Sequence, residues 1–187
     1  MFPKIFTPTH DRYVFKYVAN GRRTPSPDEI EVRRIARDLK LPTSEAIAEA
    51  APKMAALIDG PCWLVPVPAC DGTVAANLAL ANAIAEFADD LRVKCAVGRD
   101  HPVESSCDRR RRFLPGLTFE EHCIIRLVES LEILPLYFVD NVITTGTTIE
   151  ACRLALGWGT GLAYADASYR SALSLGARWV SKARPRR

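Results

Sequence analysis

The chain has 187 residues, 48% of them hydrophobic and 25% charged, the composition of an ordinary globular domain with enough core to need no staples. Its net charge of +3 suits an anionic ligand and by itself gives no argument for nucleic acid. No apolar run approaches the ~18 residues of a membrane span, and Met1-Phe2-Pro3-Lys4-Ile5-Phe6 lacks the apolar core of a signal peptide. No membrane association and a cytoplasmic location are therefore expected.

Arg12 to Val18 reads as a strand, and Asn20-Gly21 is a turn signal. Helical patterns follow at about 27–40 and 43–58, each with Ser, Thr or Asp near its start. Residues 1–60 read as an appendage and 61–187 as the core domain. The core opens at Cys62-Trp63-Leu64-Val65, an apolar run that predicts a central strand. Pro66 and Pro68 cannot donate to a ladder, so the strand is expected to end there. Ala69-Cys70-Asp71-Gly72 forms the turn, with Thr73 as candidate N-cap of a helix whose stripe is Val74, Leu78, Ala81, Ala85 and Ala88. Val93 to Val97 reads as a short second strand. A long polar loop follows from Gly98 to about Gly116, carrying Arg99, His101 and the run Arg109-Arg110-Arg111-Arg112. Leu117 to Leu131 reads as a helix opening at Thr118 with Glu121 completing a capping box, or His122 to Leu127 as a strand; periodicity does not decide. Gly161 to Ser168 reads as a further strand with its loop, and Lys182 to Arg187 as a solvated tail.

The cysteines, Cys62, Cys70, Cys95, Cys107, Cys123 and Cys152, include no C-x-x-C pair, and His10, His101 and His122 form no motif. A zinc site is not expected. Cys62, Cys95, Cys123 and Cys152 sit in apolar contexts that suit buried thiols.

The most informative stretch is Leu136-Tyr137-Phe138-Val139-Asp140-Asn141-Val142-Ile143-Thr144-Thr145-Gly146-Thr147-Thr148. Its four leading apolar residues predict a buried parallel strand ending at Asp140-Asn141. Thr144 to Thr148 form a hydroxyl-rich turn around Gly146, and a helix begins at Thr148. A strand, a tight turn and a helix start make a phosphate cup of backbone N–H groups, helix-terminal partial charge and threonine hydroxyls. Asp140 stands beside that cup. The stretch is not a Walker A loop, because no Gly-Lys-Ser/Thr is present, nor a dinucleotide loop, because G-x-G-x-x-G is absent.

These 13 residues resemble the phosphoribosyl-pyrophosphate (PRPP) signature of the type I phosphoribosyltransferases, with Asn141 where the second acid is usual. The Val65-Pro66-Val67-Pro68 phrase is, more weakly, similar to ComF-like competence proteins. The resemblance implies an α/β fold with a parallel sheet flanked by helices, the ligand at the carboxyl ends of the strands, and a small N-terminal hood. It implies that Val142 to Thr148 bind the 5-phosphate of PRPP or of a nucleoside monophosphate. Ala69, Cys70, Asp71 and Gly72 would form the pyrophosphate loop, and Arg99, Arg109 and Arg110 would belong to a mobile lid. Asp140 and Asn141 would be the catalytic pair, orienting ribose hydroxyls beside a cationic sugar centre. The cofactor implied is Mg2+, carried by PRPP near Asp140 rather than held by side chains. The activity implied is phosphoribosyl transfer to or from a nitrogen acceptor such as a nucleobase, in a homodimer. The acceptor would lie near the 161–168 strand, with Tyr164 or Trp158 either stacking on it or serving as core. Asparagine carries no charge, so a non-catalytic PRPP- or nucleotide-sensing module is an alternative. A ComF-like accessory protein of DNA uptake, its arginines on nucleic acid backbone, is another. The arginine run is equally readable as a solvated charged surface.

Overall fold

The computed structural model describes residues 11–17, 24–41 and 43–167. The readings made on Asn20-Gly21, on His10 and on the tail from Ser168 lie outside the described residues. The elements in chain order are β1 (Arg12–Lys16), α1 (Pro27–Asp38), α2 (Ser44–Ala55), β2 (Cys62–Pro66), α3 (Ala75–Ala85), β3 (Leu91–Val93), β4 (Val97–Arg99), α4 (Ser106–Arg111), a 3-10 turn (Glu120–His122), β5 (Ile124–Arg126), β6 (Leu136–Ile143), α5 (Thr147–Leu156) and β7 (Thr160–Asp166).

Five strands form one parallel sheet in the order β1-β7-β6-β2-β3, flanked by helices on both faces: the protein is α/β. β6 and β7 carry near-continuous apolar residues because both of their faces are covered. One face holds Leu64, Tyr137, Val139, Leu162 and Tyr164 under α1, α2 and α3. The other holds Val65, Phe138 and Ala163 under Ile149, Cys152 and Leu156 of α5.

The described part of residues 1–60 belongs to these layers. β1 completes the sheet edge beside β7, and α1 and α2 bury Val32, Ile35, Ala36, Ala46, Ala50 and Met54. The capping box at the start of α1 is closed by Ser26 and Glu29, and Thr43 caps α2.

Several boundaries differ from those read in the sequence. β6 does not end at Asp140-Asn141. It runs on to Ile143, because β7 keeps offering ladder partners: Asp140 pairs with Ala163, Val142 with Ala165 and Ile143 with Asp166. Thr73 does not cap α3; its N–H and hydroxyl both donate to Asp71 Oδ1, closing an Asx turn one residue earlier. The buried stripe of α3 is Asn77, Leu80, Ala81 and Ile84, with Ala88 exposed beyond the helix end. The single strand read at 93–97 is two: β3 in the main sheet, and β4 in a two-stranded antiparallel ribbon with β5. The Gly98–Gly116 segment therefore opens as a strand, not a loop. Thr118 and Glu121 do exchange capping-box bonds, but around the 3-10 turn and not a helix.

Gly159 has φ +129°, and a Cβ there would lie 2.4 Å from Phe138 Cε2 and 2.7 Å from Leu136 Cδ2. Gly159→Ala should destabilise the fold by about 2–4 kcal/mol, the sum of left-handed strain and a core clash. An unchanged urea midpoint for this variant would show that the β6–β7 junction is looser than its packing implies.

Candidate functional site

β2 and β6 are neighbours, and their chain paths then part. β2 crosses through α3 to β3 on one side, while β6 crosses through α5 to β7 on the other, and the two helices cover opposite faces. Crossovers of one hand that run in opposite directions must do this. The divergence leaves a crevice at the carboxyl ends of β2 and β6, the place where open α/β sheets bind ligands. Into it open the turn after β2, Ala69 to Gly72, and the turn after β6, Thr144 to Thr148. Val67 N–H donates to Val139 O at 3.0 Å, so the two chains stay paired up to the crevice floor.

Asp140 lies on that floor. Its Oδ1 accepts the Asn141 N–H at 2.8 Å and the Asn77 side-chain amide at 3.4 Å; the same amide donates to Val67 O at 2.8 Å. The side chain keeps some exposed surface, but protein surrounds the carboxyl, and that packing rather than the residual exposure sets the cost of charge. Burial pushes its pKa up, opposed by those two hydrogen bonds and by the cation of Lys40. Asn77 and Lys40 are site residues that the sequence alone did not single out, since a helical Asn and a helix-end Lys carry no motif.

Asn141 points the other way. Successive strand residues face opposite sides, and the buried Asn141 amide donates to Ala36 O near the end of α1 at 2.9 Å. The structure thus separates the expected catalytic pair. Val142 and Ile143 likewise pack into the apolar core and present only backbone to the loop.

The Thr–Gly loop is built for close approach. Gly146 has φ +82° and is the residue from which α5 starts; its carbonyl accepts Glu150 N–H at 2.9 Å. The Thr145 and Thr147 hydroxyls are hydrogen-bonded to each other, and Thr145 is exposed. The first N–H groups of α5 have no partner within the helix and, with the hydroxyls, offer donors to an anion.

Arg99, at the end of β4, reaches the other loop. Its Nε donates to Ala69 O at 2.6 Å and its Nη1 to His122 O. Burial lowers its pKa, while Cys152, Cys70, Cys123 and Asp140 act in the opposite direction. Val103 N–H donates to Cys70 O at 2.8 Å, so the 69–72 turn is tied to the segment after β4. Asp71 is held low by the Thr73 backbone N–H and then by its hydroxyl.

The arginine run closes α4, with Arg112 as its C-cap, and is largely paired within its own segment. Arg109 donates to Pro115 O at 2.8 Å and approaches Glu104 at 3.7 Å, Arg112 pairs with Glu104 at 2.8 Å and Arg111 with Asp108 at 3.3 Å; Arg110 is exposed. None of the contacts of Arg109 is to the Thr–Gly loop. Tyr164 is buried against Phe15, with ring centroids 5.3 Å apart, and Trp158 is half-buried with its Nε1 directed at Leu134 O; both serve the core.

Among the described residues no cluster of three His, Cys, Asp or Glu could hold a metal ion. A magnesium ion fits this site only as one bound chiefly by phosphate oxygens and water, with Asp140 as the carboxylate at hand. No helix among the described residues is long and apolar enough to cross a membrane. A groove of about 460 Å³ lies away from the Thr–Gly loop, between α5 and the β4–β5 ribbon, lined by residues that include Asp100, His101 and Cys123.

Two titrations follow. A carboxyl whose pKa is higher folded than unfolded stabilises less as pH rises through the folded value. Asp140→Asn keeps the acceptor and removes the charge, so it should stabilise the ligand-free protein at pH 8 by about 0.5–2 kcal/mol. The gain should shrink towards pH 4, as read by thermal melts across pH. His122 is buried with Nδ1 unpartnered, and burial lowers its pKa to about 4. The unfolded chain then takes up a proton that the folded one refuses, so stability should fall as pH drops from about 6.5 towards 4. His122→Leu should flatten that part of the profile; an unaltered slope would place the sensitivity elsewhere.

Compared with known proteins, the chain matches no family model, no curated protein and no solved structure.

Proposed function

We propose that this protein binds PRPP or a nucleoside 5′-monophosphate in the manner of a type I phosphoribosyltransferase. The observation that supports the reading is the parallel pairing of β2 with β6, which puts the Ala69–Gly72 turn and the Thr144–Thr148 loop at the same end of the sheet, with the buried carboxyl of Asp140 on the strand between them. The loop takes the 5-phosphate through backbone N–H groups and threonine hydroxyls. Asp140 accepts from the ribose hydroxyls, and its low-dielectric seat strengthens that bond. The 69–72 turn, braced by Arg99, receives the pyrophosphate, whose charge Mg2+ neutralises when bound. Transfer of phosphoribosyl to or from a nitrogen acceptor is the reaction this arrangement suits, with a cationic ribose developing beside Asp140.

The orientation of Asn141 favours a second reading, in which the site binds but does not turn over. The second polar group of the signature is engaged with Ala36 O and not with the crevice. Asn141→Asp would accordingly bury a carboxylate against a carbonyl, and is expected to destabilise the chain and not to raise activity.

Titration calorimetry with PRPP and Mg2+ tests the binding reading. The wild-type chain should bind, and Gly146→Val, which forces a branched residue to φ +82°, should abolish binding without unfolding the protein. Asp140→Asn should weaken PRPP by about 1–3 kcal/mol while leaving the fold at least as stable. Absence of binding to both PRPP and nucleoside monophosphates by the wild-type protein overturns the reading. Pyrophosphate release with a panel of bases separates the enzyme from the binding module.

A further inference from the structure

The groove beside α5 contains a second chemical constellation, away from the Thr–Gly loop. Cys123 Sγ lies 3.2 Å from His101 Nε2, and His101 Nδ1 lies 3.3 Å from Asp100 Oδ2. The three side chains thus stand in the order thiol, imidazole, carboxylate. Their meeting is not a chance of surface rotamers. The β4–β5 ladder pairs Val97 with Arg126, Gly98 with Ile125 and Arg99 with Ile124, and it continues through a bond from Asp100 N–H to Cys123 O at 3.0 Å. The backbones of Asp100 and Cys123 are therefore fixed opposite one another, with His101 next in line.

Three further observations concern the same residues. Cys123 has φ +51° and ψ +39°, a left-handed conformation seldom held by a residue other than Gly, Asn or Asp, and strain of this kind gathers at functional positions. Arg99 carries a guanidinium to the carbonyl of His122, the residue before the thiol. Apart from Glu120, the rest of the groove that receives Asp100, His101 and Cys123 is apolar, lined by Phe119, Ile124, Ile125, Ala151, Leu154 and Ala155. Phe119, Ile125 and Leu154 are all exposed large hydrophobics.

From this geometry we infer that Cys123 is a nucleophilic thiol, with His101 as its base and Asp100 as the group that orients the imidazole, and that it accepts acyl groups from esters or thioesters whose apolar acyl chain lies in the groove. A sulfur and a ring nitrogen within hydrogen-bond reach, with the base held by a third group, is the arrangement that activates a weak nucleophile. The thiol–imidazole contact is close for a bond to sulfur, and the imidazole–carboxylate distance is on the long side, as is usual before substrate closes a site. In the first step His101 Nε2 takes the Sγ proton and sulfur attacks the acyl carbon. The tetrahedral adduct then expels the alkoxide or thiolate, which takes the proton back from the imidazolium, leaving an S-acyl Cys123. In the second step water attacks the thioester, His101 accepts its proton and returns it to sulfur, and the carboxylic acid leaves. Atoms and charge balance with water as the only co-reactant. The apolar lining selects the acyl chain, since each additional buried methylene favours binding.

The test uses the intact chain with p-nitrophenyl hexanoate and p-nitrophenyl acetate. The hexanoate should give a burst of one p-nitrophenolate per chain and a hexanoyl mass increment on the peptide containing Cys123, with kcat/KM at least tenfold above that of the acetate. Cys123→Ser and His101→Gln should each lower that rate at least 100-fold, and Asp100→Asn about tenfold. Because Asp100 and His101 are exposed, the last two variants are expected to fold. An independent measure needs no variant: iodoacetamide should alkylate Cys123 at least tenfold faster than Cys95 in the same wild-type molecule. Acylation spread evenly over Cys70, Cys95 and Cys123, no effect of His101→Gln, or equal alkylation of Cys95 and Cys123 would each overturn the assignment, and equal rates for hexanoate and acetate would overturn the apolar substrate class.

Discussion

The parallel pairing of β2 with β6 is the constraint from which the rest of the molecule follows. Once these two strands lie side by side at the middle of the sheet, right-handed crossovers send α3 and β3 one way and α5 and β7 the other. The helices then have to occupy opposite faces, and the carboxyl ends of the two strands have to gape. Every polar group of the crevice hangs on that divergence: the turn after β2, the loop after β6, and the Asn77 amide that links Val67 to Asp140 across the strand pair. The apolar contents of β2, β6 and β7 hold the pairing in place, and polar groups gather where the strands give way to the turns that follow them.

Strand parity decides which side chains reach that crevice. Asp140 and Asn141 are adjacent in sequence, yet one lies on the crevice floor and the other is sealed against α1. Moving Asn141 to the crevice would require a one-residue slip of β6, which would also turn Tyr137 and Val139 out of one core and Phe138 out of the other. The strand cannot make that exchange. The carboxylate that remains sits in protein with two hydrogen bonds on Oδ1, an arrangement that costs stability while the site is empty and strengthens any donor that arrives.

Much of this was legible in the sequence, and the failures share a cause. The strand at 62–66, the apolar first half of the strand that opens at Leu136, the turn at 69–72 and the helix after Gly146 follow from apolar runs, prolines and small residues. These local signals agree with the tertiary outcome. The polar pair Asp140-Asn141 predicts an end to β6 that the structure does not have, because the ladder to β7 continues regardless of side-chain polarity. The arginine run was ambiguous because its partners, Glu104 and Asp108, are neighbours that only the short helix α4 brings into range. His101 and Cys123 looked unrelated at a separation of 22 residues. Only antiparallel pairing of two three-residue strands joins them, and such short strands leave almost no trace in hydrophobic periodicity.

The β4–β5 ribbon now takes on an importance that its size conceals. Two strands of three residues cannot stand alone in water, so the ribbon borrows its order from α5 and from Arg99, which ties it to Ala69 and His122. It is the kind of small unit that opens without the rest of the domain and exchanges its amide protons early. Yet it touches both polar sites at once, through Arg99 at the 69–72 turn and through Asp100, His101 and Cys123 at the groove. An anion that stills the ribbon from one side removes part of the ordering entropy that a second molecule would otherwise have to meet on the other. Were both proposed sites occupied, they would share the ordering of these six residues, with no displacement of the sheet required.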